Sequence, residues 1–296
     1  KVVDKPQRPA FESNFLIDNP TDKIYLPNTL EVVFQHRFGT IGGNENDLLG
    51  VWGAANIRIG LSYTIHERLQ IGFGTSKFNR VQDFNWKVGI LRQTRSDRIP
   101  VNVSYYVNWA INATKFETLQ RQYPYFLDQH RYSFFHQLII SRRFNQNLSL
   151  QVAPSVSHFN LVEDKQRNDL ITLSVGGRYK ITPGTAITME YSHPFVHHLD
   201  GAEYPFDPEP GFSVGAEFVT SSHAFQVYMS SYNGIVPQYN FFQNQNRFFG
   251  GWDFTEENDA DPFDDPPGGF HGTHVAGIIG SSAVSARLRC VFGFPK

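Results

Sequence analysis

His271 and His274 lie three residues apart in the run His271–Ser281, and by residue type they are the side chains best suited to moving a proton. An imidazole titrates near neutrality, but as a general base it needs a nucleophile within reach and a carboxylate to orient it. No recognisable nucleophile block or aspartate block stands elsewhere in the chain, so His271 is a candidate base without partners and no other catalytic residue is expected. Glu256, Glu257, Asp259, Asp261, Asp264 and Asp265 could gather oxygen ligands for calcium, but they lack the regular spacing of a calcium loop and read as a solvated segment. His197–His198 and the pair His271/His274 lack a third ligand at fixed spacing, so no metal is expected. Ser157 and His158 are adjacent, which puts their side chains on opposite faces of an extended strand. The single Cys290 excludes an internal disulfide and a cysteine-based zinc site, and no cofactor is expected.

A second set of chemically able residues shares a position in a pattern rather than a motif. Arg58, Lys87, Arg178, Lys180, Arg287 and Arg289 fall on the polar side of alternating stretches, together with Glu31, Glu190 and Glu217. The clearest stretch is Pro100–Thr114. There Val101, Val103, Tyr105, Val107, Trp109 and Ile111 alternate with Asn102, Ser104, Tyr106, Asn108, Ala110 and Asn112. A period of two gives an extended strand one apolar and one polar face. Its length and its Tyr and Trp residues fit a tilted strand crossing a bilayer. The charged set then lines a lumen, and two readings stand: a narrow hydrated pore, or a lumen closed by ion pairs. About twelve strands enclose less space than a 16- to 18-stranded porin, which favours a closed or very narrow lumen.

The alternating unit recurs along most of the chain. Strands are expected near Thr29–Phe38, Asn56–Ile65, Leu69–Thr75, Asp83–Gln93, Pro100–Thr114 and Tyr132–Arg142, then near Leu148–Phe159, Leu170–Ile181, Ala186–Phe195, Gly211–Thr220, His223–Tyr232 and Val284–Phe294. Long and short connections alternate, as in an up-and-down meander whose long loops share one end. The fold class is therefore all-β: a transmembrane antiparallel barrel of about twelve strands. Residues 1–28, with Pro6, Pro9, Pro20 and Pro27, read as an irregular periplasmic arm, residues 29–296 as the barrel, and about 234–283 as a long extracellular loop. Charged residues make up only 18% of the 296, against about 25% in soluble domains, while Phe and Tyr number 27 and 13. No run approaches the roughly 18 apolar residues of a membrane-spanning helix. A net charge of −2 gives no field for nucleic acid. The expected surroundings are outer-membrane lipid and other envelope proteins.

The order and wording of several segments resemble a family of bacterial outer-membrane β-barrels known as a domain of unknown function. The segments are Phe11–Asn19, Glu31–Phe38, Asn56–Tyr63, Gln82–Arg95, His136–Arg142, Leu148–Asn160, Gly176–Ile181 and Phe212–Gln226. The resemblance covers residues 11 to about 254 and implies a Gram-negative outer membrane and no assigned reaction. After Glu257 the chain departs from that pattern, and His271–Ser281 is similar to the histidine block of subtilisin-like proteases. Two functions follow: a narrow pore or a structural and docking component of an envelope assembly, or a membrane-bound hydrolase carrying a partial subtilisin-like motif. Period-two parity also leads to the expectation that arginine is costly at Val103 and better tolerated at Ser104.

Because His271 lacks a recognisable orienting Asp or nucleophilic Ser, the purified protein should not react with a fluorophosphonate serine probe. Labelling that disappears in His271→Ala would reveal a nucleophile absent from the sequence pattern.

Overall fold

In the computed structural model, the described residues are 4–40, 51–52, 55–162, 166–198, 207–220, 222–232, 234–244 and 283–293; the side chains of 40, 243 and 283–293 fall outside the description. Twelve strands form one sheet. They are β1 (Thr29–Thr40), β2 (Asn56–His66), β3 (Leu69–Ser76), β4 (Gln82–Leu91), β5 (Asn102–Ile111), β6 (Tyr132–Arg143), β7 (Leu148–Phe159), β8 (Asp169–Thr182), β9 (Thr185–Phe195), β10 (Gly211–Val219), β11 (His223–Ser230) and β12 (Ala283–Gly293). Each pairs antiparallel with its sequence neighbours. β12 closes the ring, pairing Ser230 with Ala283 on one side and Thr29 with Gly293 on the other. The expected boundaries hold within a few residues, apart from the fifth strand, which spans Asn102–Ile111 rather than reaching Pro100 and Thr114.

The burial pattern is inverted relative to a water-soluble protein. Along β9, Ala186, Thr188, Glu190 and Ser192 are at most 4% exposed, whereas Ile187, Met189, Tyr191 and Phe195 are 42–52% exposed. The same alternation runs through β7, where Gln151, Ser155 and Ser157 face inward and Leu150, Val152 and Val156 outward. An apolar exterior over a polar interior is the arrangement lipid requires of a barrel. Ladder closure also leaves no strand edge unpaired in hydrocarbon.

Two of the described connections carry an α-helix. The segment after β5 carries a short helix, α1 (Phe116–Gln122), and a single 3-10 turn at Asp128–Arg131. The segment after β11 begins with α2 (Pro237–Gln243), with proline at its start where no backbone N–H is needed. Gln238, Tyr239, Asn240, Phe241 and Phe242 of α2 are all at most 7% exposed, because the helix is folded into the barrel mouth. Its Phe241 and Phe242 pack with the inward rings of Tyr106 and Phe135. The acidic run and the His271–Ser281 segment lie outside the described residues.

The N-terminal segment differs most from expectation. It is irregular, as its prolines suggest, but residues 10–21 are not an arm standing away from the barrel. Phe11, Leu16, Ile17, Asp18, Asn19 and Thr21 are at most 2% exposed, which places them within the wall. For the same reason Ser104, 2% exposed in a filled interior, has no room for arginine, and the tolerance expected there is withdrawn.

On the lipid face, Met189→Arg should cost about 2–4 kcal/mol near the midplane. In a heat-modifiability gel that variant should lose the compact band, while Asn145→Arg in an exposed turn keeps it.

Candidate functional site

Residues 10–28 enter the lumen from the short-turn end, reverse and return to β1. Before entry the chain is tied to the connection between β4 and β5. Gln7 N–H donates to the Gln93 carbonyl (2.8 Å), Arg95 N–H donates to the Lys5 carbonyl (3.0 Å), and Pro6 bridges Thr94. The Ser96 hydroxyl bonds the Asp4 carboxylate and holds it below the usual carboxylate range. Inside, Thr21 N–H donates to the Asn14 carbonyl (2.8 Å) and Leu16 N–H to the Asn19 carbonyl (2.9 Å). These bonds make a hairpin with Ile17 and Asp18 at its tip.

The hairpin is held by side chains of seven strands. The Glu31 carboxylate of β1 accepts from the Asn14 amide, and the Lys87 ammonium of β4 donates to the same amide oxygen (2.9 Å). Gln137 of β6 donates to Asn19 (2.8 Å), and Gln151 of β7 to the Pro20 carbonyl (2.8 Å). Glu190 of β9 accepts the Asp18 N–H (2.5 Å) and the Asn19 N–H (3.2 Å). Glu217 of β10 accepts from the Ser13 hydroxyl (2.7 Å), and Gln226 of β11 donates to the Leu16 carbonyl (3.0 Å). A segment without ladder pairing thus finds its hydrogen bonds on the wall, as buried backbone must. Gly176 is the contact that permits close approach, since a Cβ there would lie 2.7 Å from Leu16 Cδ2.

Asp18 joins the parts. Its carboxylate takes a guanidinium hydrogen bond from Arg37 and hydroxyl bonds from Ser213 and Ser230, and the Asn240 amide of α2 reaches it at 3.5 Å. Two further ion pairs lie in the wall itself. Arg58 grips Asp83 with Nε and Nη2, both at 2.7 Å, and donates Nη1 to Gln35 at 2.9 Å. Asn108 links that pair to α2: it donates to Asp83 (2.9 Å) and accepts from Gln238 (3.0 Å). Arg178 Nε donates to Glu217 at 2.6 Å. A Cβ at Gly74 would overlap the Arg58 guanidinium, so the glycine gives the bidentate pair its space.

Of the residues singled out by parity, the structure buries Arg58, Lys87, Arg178, Glu190, Glu217 and Glu31 inside the lumen, each at most 5% exposed. Lys180 sits at the mouth, 4.0 Å from Glu12. Arg287 and Arg289 stand in register with Gln35 and Val33, but their side chains lie outside the described residues. The pattern missed Arg37 and Asp83, although both share the inward parity of Gln35 and Lys87 on their strands. It could not reveal Asp18, which belongs to no strand. Ser157 faces the lumen at 0% exposure, while His158 turns to Asp169 at 2.9 Å, so this pair is split across the wall. Among the described residues no cluster of three or more metal-ligating side chains occurs.

The family model described as Membrane bound beta barrel domain (DUF5777) matches residues 11–255. The chain belongs to this family. The match takes in the lumenal hairpin as well as the strands up to β11, and it ends before the subtilisin-like segment, whose resemblance gains no support from it. Among solved structures, an outer membrane channel from Pseudomonas putida F1 is similar, with TM-score 0.50 and 11% identity over 91% of this chain and 97% of its own. The NanC porin gives TM-score 0.49 at 8% identity, covering 90% and 100% of the two chains, and the KdgM porin 0.45 at 7%, covering 90% and 99%. At such identities the likeness concerns the fold. Among curated proteins, none matches the chain. This member of the family is accordingly a membrane-bound β-barrel.

Removing one partner of a buried pair strands the other charge, at about 3–5 kcal/mol. Arg58→Met should therefore lower the Tm in detergent sharply, and Arg58→Met/Asp83→Leu should recover most of the loss. A double variant no more stable than the single one would contradict the pairing.

Proposed function

We propose that this barrel is a non-conducting structural and docking component of the outer membrane. The observation that carries the reading is the hairpin of residues 10–21, buried in the lumen and bonded to seven strands. With α2 set into the opposite mouth, two separate segments occupy the path a solute would follow. The charges along that path are engaged with each other or with amides, so they are poorly placed to replace the hydration shell of a passing ion. Docking falls to the long-loop end, where a protein partner of the envelope would bind.

A narrow, gated pore is the second reading. It is favoured by the way the hairpin is held, since its bonds to the wall involve side chains rather than strand ladders and could be exchanged for water one by one. No reaction is assigned to the chain in either reading. The split of Ser157 from His158 supports that position, as does the absence of a recognisable triad.

Planar-bilayer recording separates the two. The full chain should be silent at moderate voltage, and a variant lacking residues 14–20 should conduct. If deletion prevents assembly, Asp18→Ala, which removes the carboxylate shared by Arg37 and Ser230, should give intermittent openings. Steady conductance of the intact chain would overturn the closed reading.

A further inference from the structure

The rim at the short-turn end is uneven in charge. The turn between β2 and β3 carries Arg68, the connection from β4 to β5 carries Arg92, Arg95 and Arg98, and β6 ends in Arg142 and Arg143. The turns Thr182–Thr185 and Val219–His223, on the far side of the ring, contain neither arginine nor lysine. The exposed arginines therefore form an arc over β2 to β6, and beyond it Lys180 of β8 lies beside Glu12.

The arc is continuous. Gly89 N–H donates to the Arg68 carbonyl (2.8 Å), Arg68 Nη1 donates to the Ile90 carbonyl (3.3 Å), and Arg92 lies 3.6 Å from Glu67. Arg142 closes the other flank by bonding Asp97 at 2.9 Å. Arg68, Arg95 and Arg98 are exposed, and none has a carboxylate within ion-pair distance among the described residues. Three carboxylates face the arc: Glu67 and Asp97, both more than half exposed, and Asp4, which bonds Ser96 and interacts with Arg98; ion pairs this close to water neutralise little of it.

Position gives the arc its meaning. Ile65, Ile90, Leu91 and Phe144 stand immediately beside these arginines on the outer wall and are 42–54% exposed, as lipid-facing residues are. The Arg142 guanidinium lies over the Phe144 ring at 5.3 Å, so its charge sits at the edge of the apolar belt. That level is where acyl chains give way to head groups. A guanidinium presents paired donors that match phosphate oxygens two at a time. A surface meant only for water would not need its cations grouped on one side of the perimeter.

We propose that this arc binds the phosphates of anionic phospholipids in the leaflet that borders the short turns, with acyl chains lying along the outer wall of β3 to β6. The bound lipid would fix which way the barrel is tilted and which sector meets its neighbours. The inference is independent of whether the lumen conducts.

The test uses the full chain in nonionic detergent, offered equal amounts of phosphatidylglycerol and phosphatidylcholine, with native mass spectrometry counting retained lipid. The wild type should keep phosphatidylglycerol in roughly tenfold preference at low salt. Arg68→Gln/Arg95→Gln/Arg98→Gln should lose that preference while keeping its compact band on a gel. Lys77→Gln/Lys115→Gln, at the opposite rim, should retain it. Equal retention of both lipids by the wild type overturns the proposal, as does a preference that survives the triple substitution. Binding of a poly-glutamate peptide without any preference between the lipids also overturns it, and assigns the arc to an acidic protein.

Discussion

A sheet surrounded by hydrocarbon cannot leave an edge open, because each unpaired backbone group there costs several kcal/mol. The pairing of β12 with both β11 and β1 meets this constraint, and the other features follow from it. Closure forces apolar side chains outward, where Ile171 and Met189 meet lipid, and polar ones inward. It also creates an interior that twelve strands cannot fill with their own side chains alone. Wall residues such as Ser133, Ser174 and Ser192 are short, and space remains along the axis. The hairpin and α2 occupy it.

Once enclosed, charges must be neutralised locally, since water is largely replaced by protein. The interior does this in linked sets. Asn14 mediates between Glu31 and Lys87, Arg178 and Ser13 share Glu217, and Asp18 collects Arg37 with two serines. Glu190 is matched by no cation at salt-bridge distance among the described residues; backbone N–H groups at the hairpin tip serve it instead. The fit of the hairpin is thus electrostatic as much as steric. Replacing Asp18 at its tip by an apolar residue would leave the Arg37 guanidinium of the wall without its carboxylate.

Strand existence, order and facing were legible because each rests on a period of two that the bilayer enforces on both sides of the wall. The same logic brought Arg58, Lys87, Arg178, Glu190 and Glu217 into view. It did not extend to pairing partners, because register across a barrel depends on strands distant in sequence: Arg37 meets Ser230, not a neighbour along its own strand. Prolines and the lack of a period describe any irregular segment, inside or outside, so they are as consistent with a periplasmic arm as with the hairpin. Only its contacts distinguish the two, and those are spread over seven strands from β1 to β11. Helix α2 was hidden for a related reason: one buried turn of aromatic and amide residues resembles a polar-aromatic loop until the lumen that receives it is known.

The hairpin also has an implication for how the molecule is assembled. Ser13 bonds a residue 204 positions later, and Ser213 bonds Asp18 across 195. The segment that ends in the centre thus precedes every strand, and several of its partners lie on β9, β10 and β11. Contacts of such long range carry a large loop-closure cost and slow folding. The hairpin therefore gains its full set of bonds only once β9, β10 and β11 have joined the wall. A chain whose first residues were held elsewhere during insertion would close its ring over an empty axis.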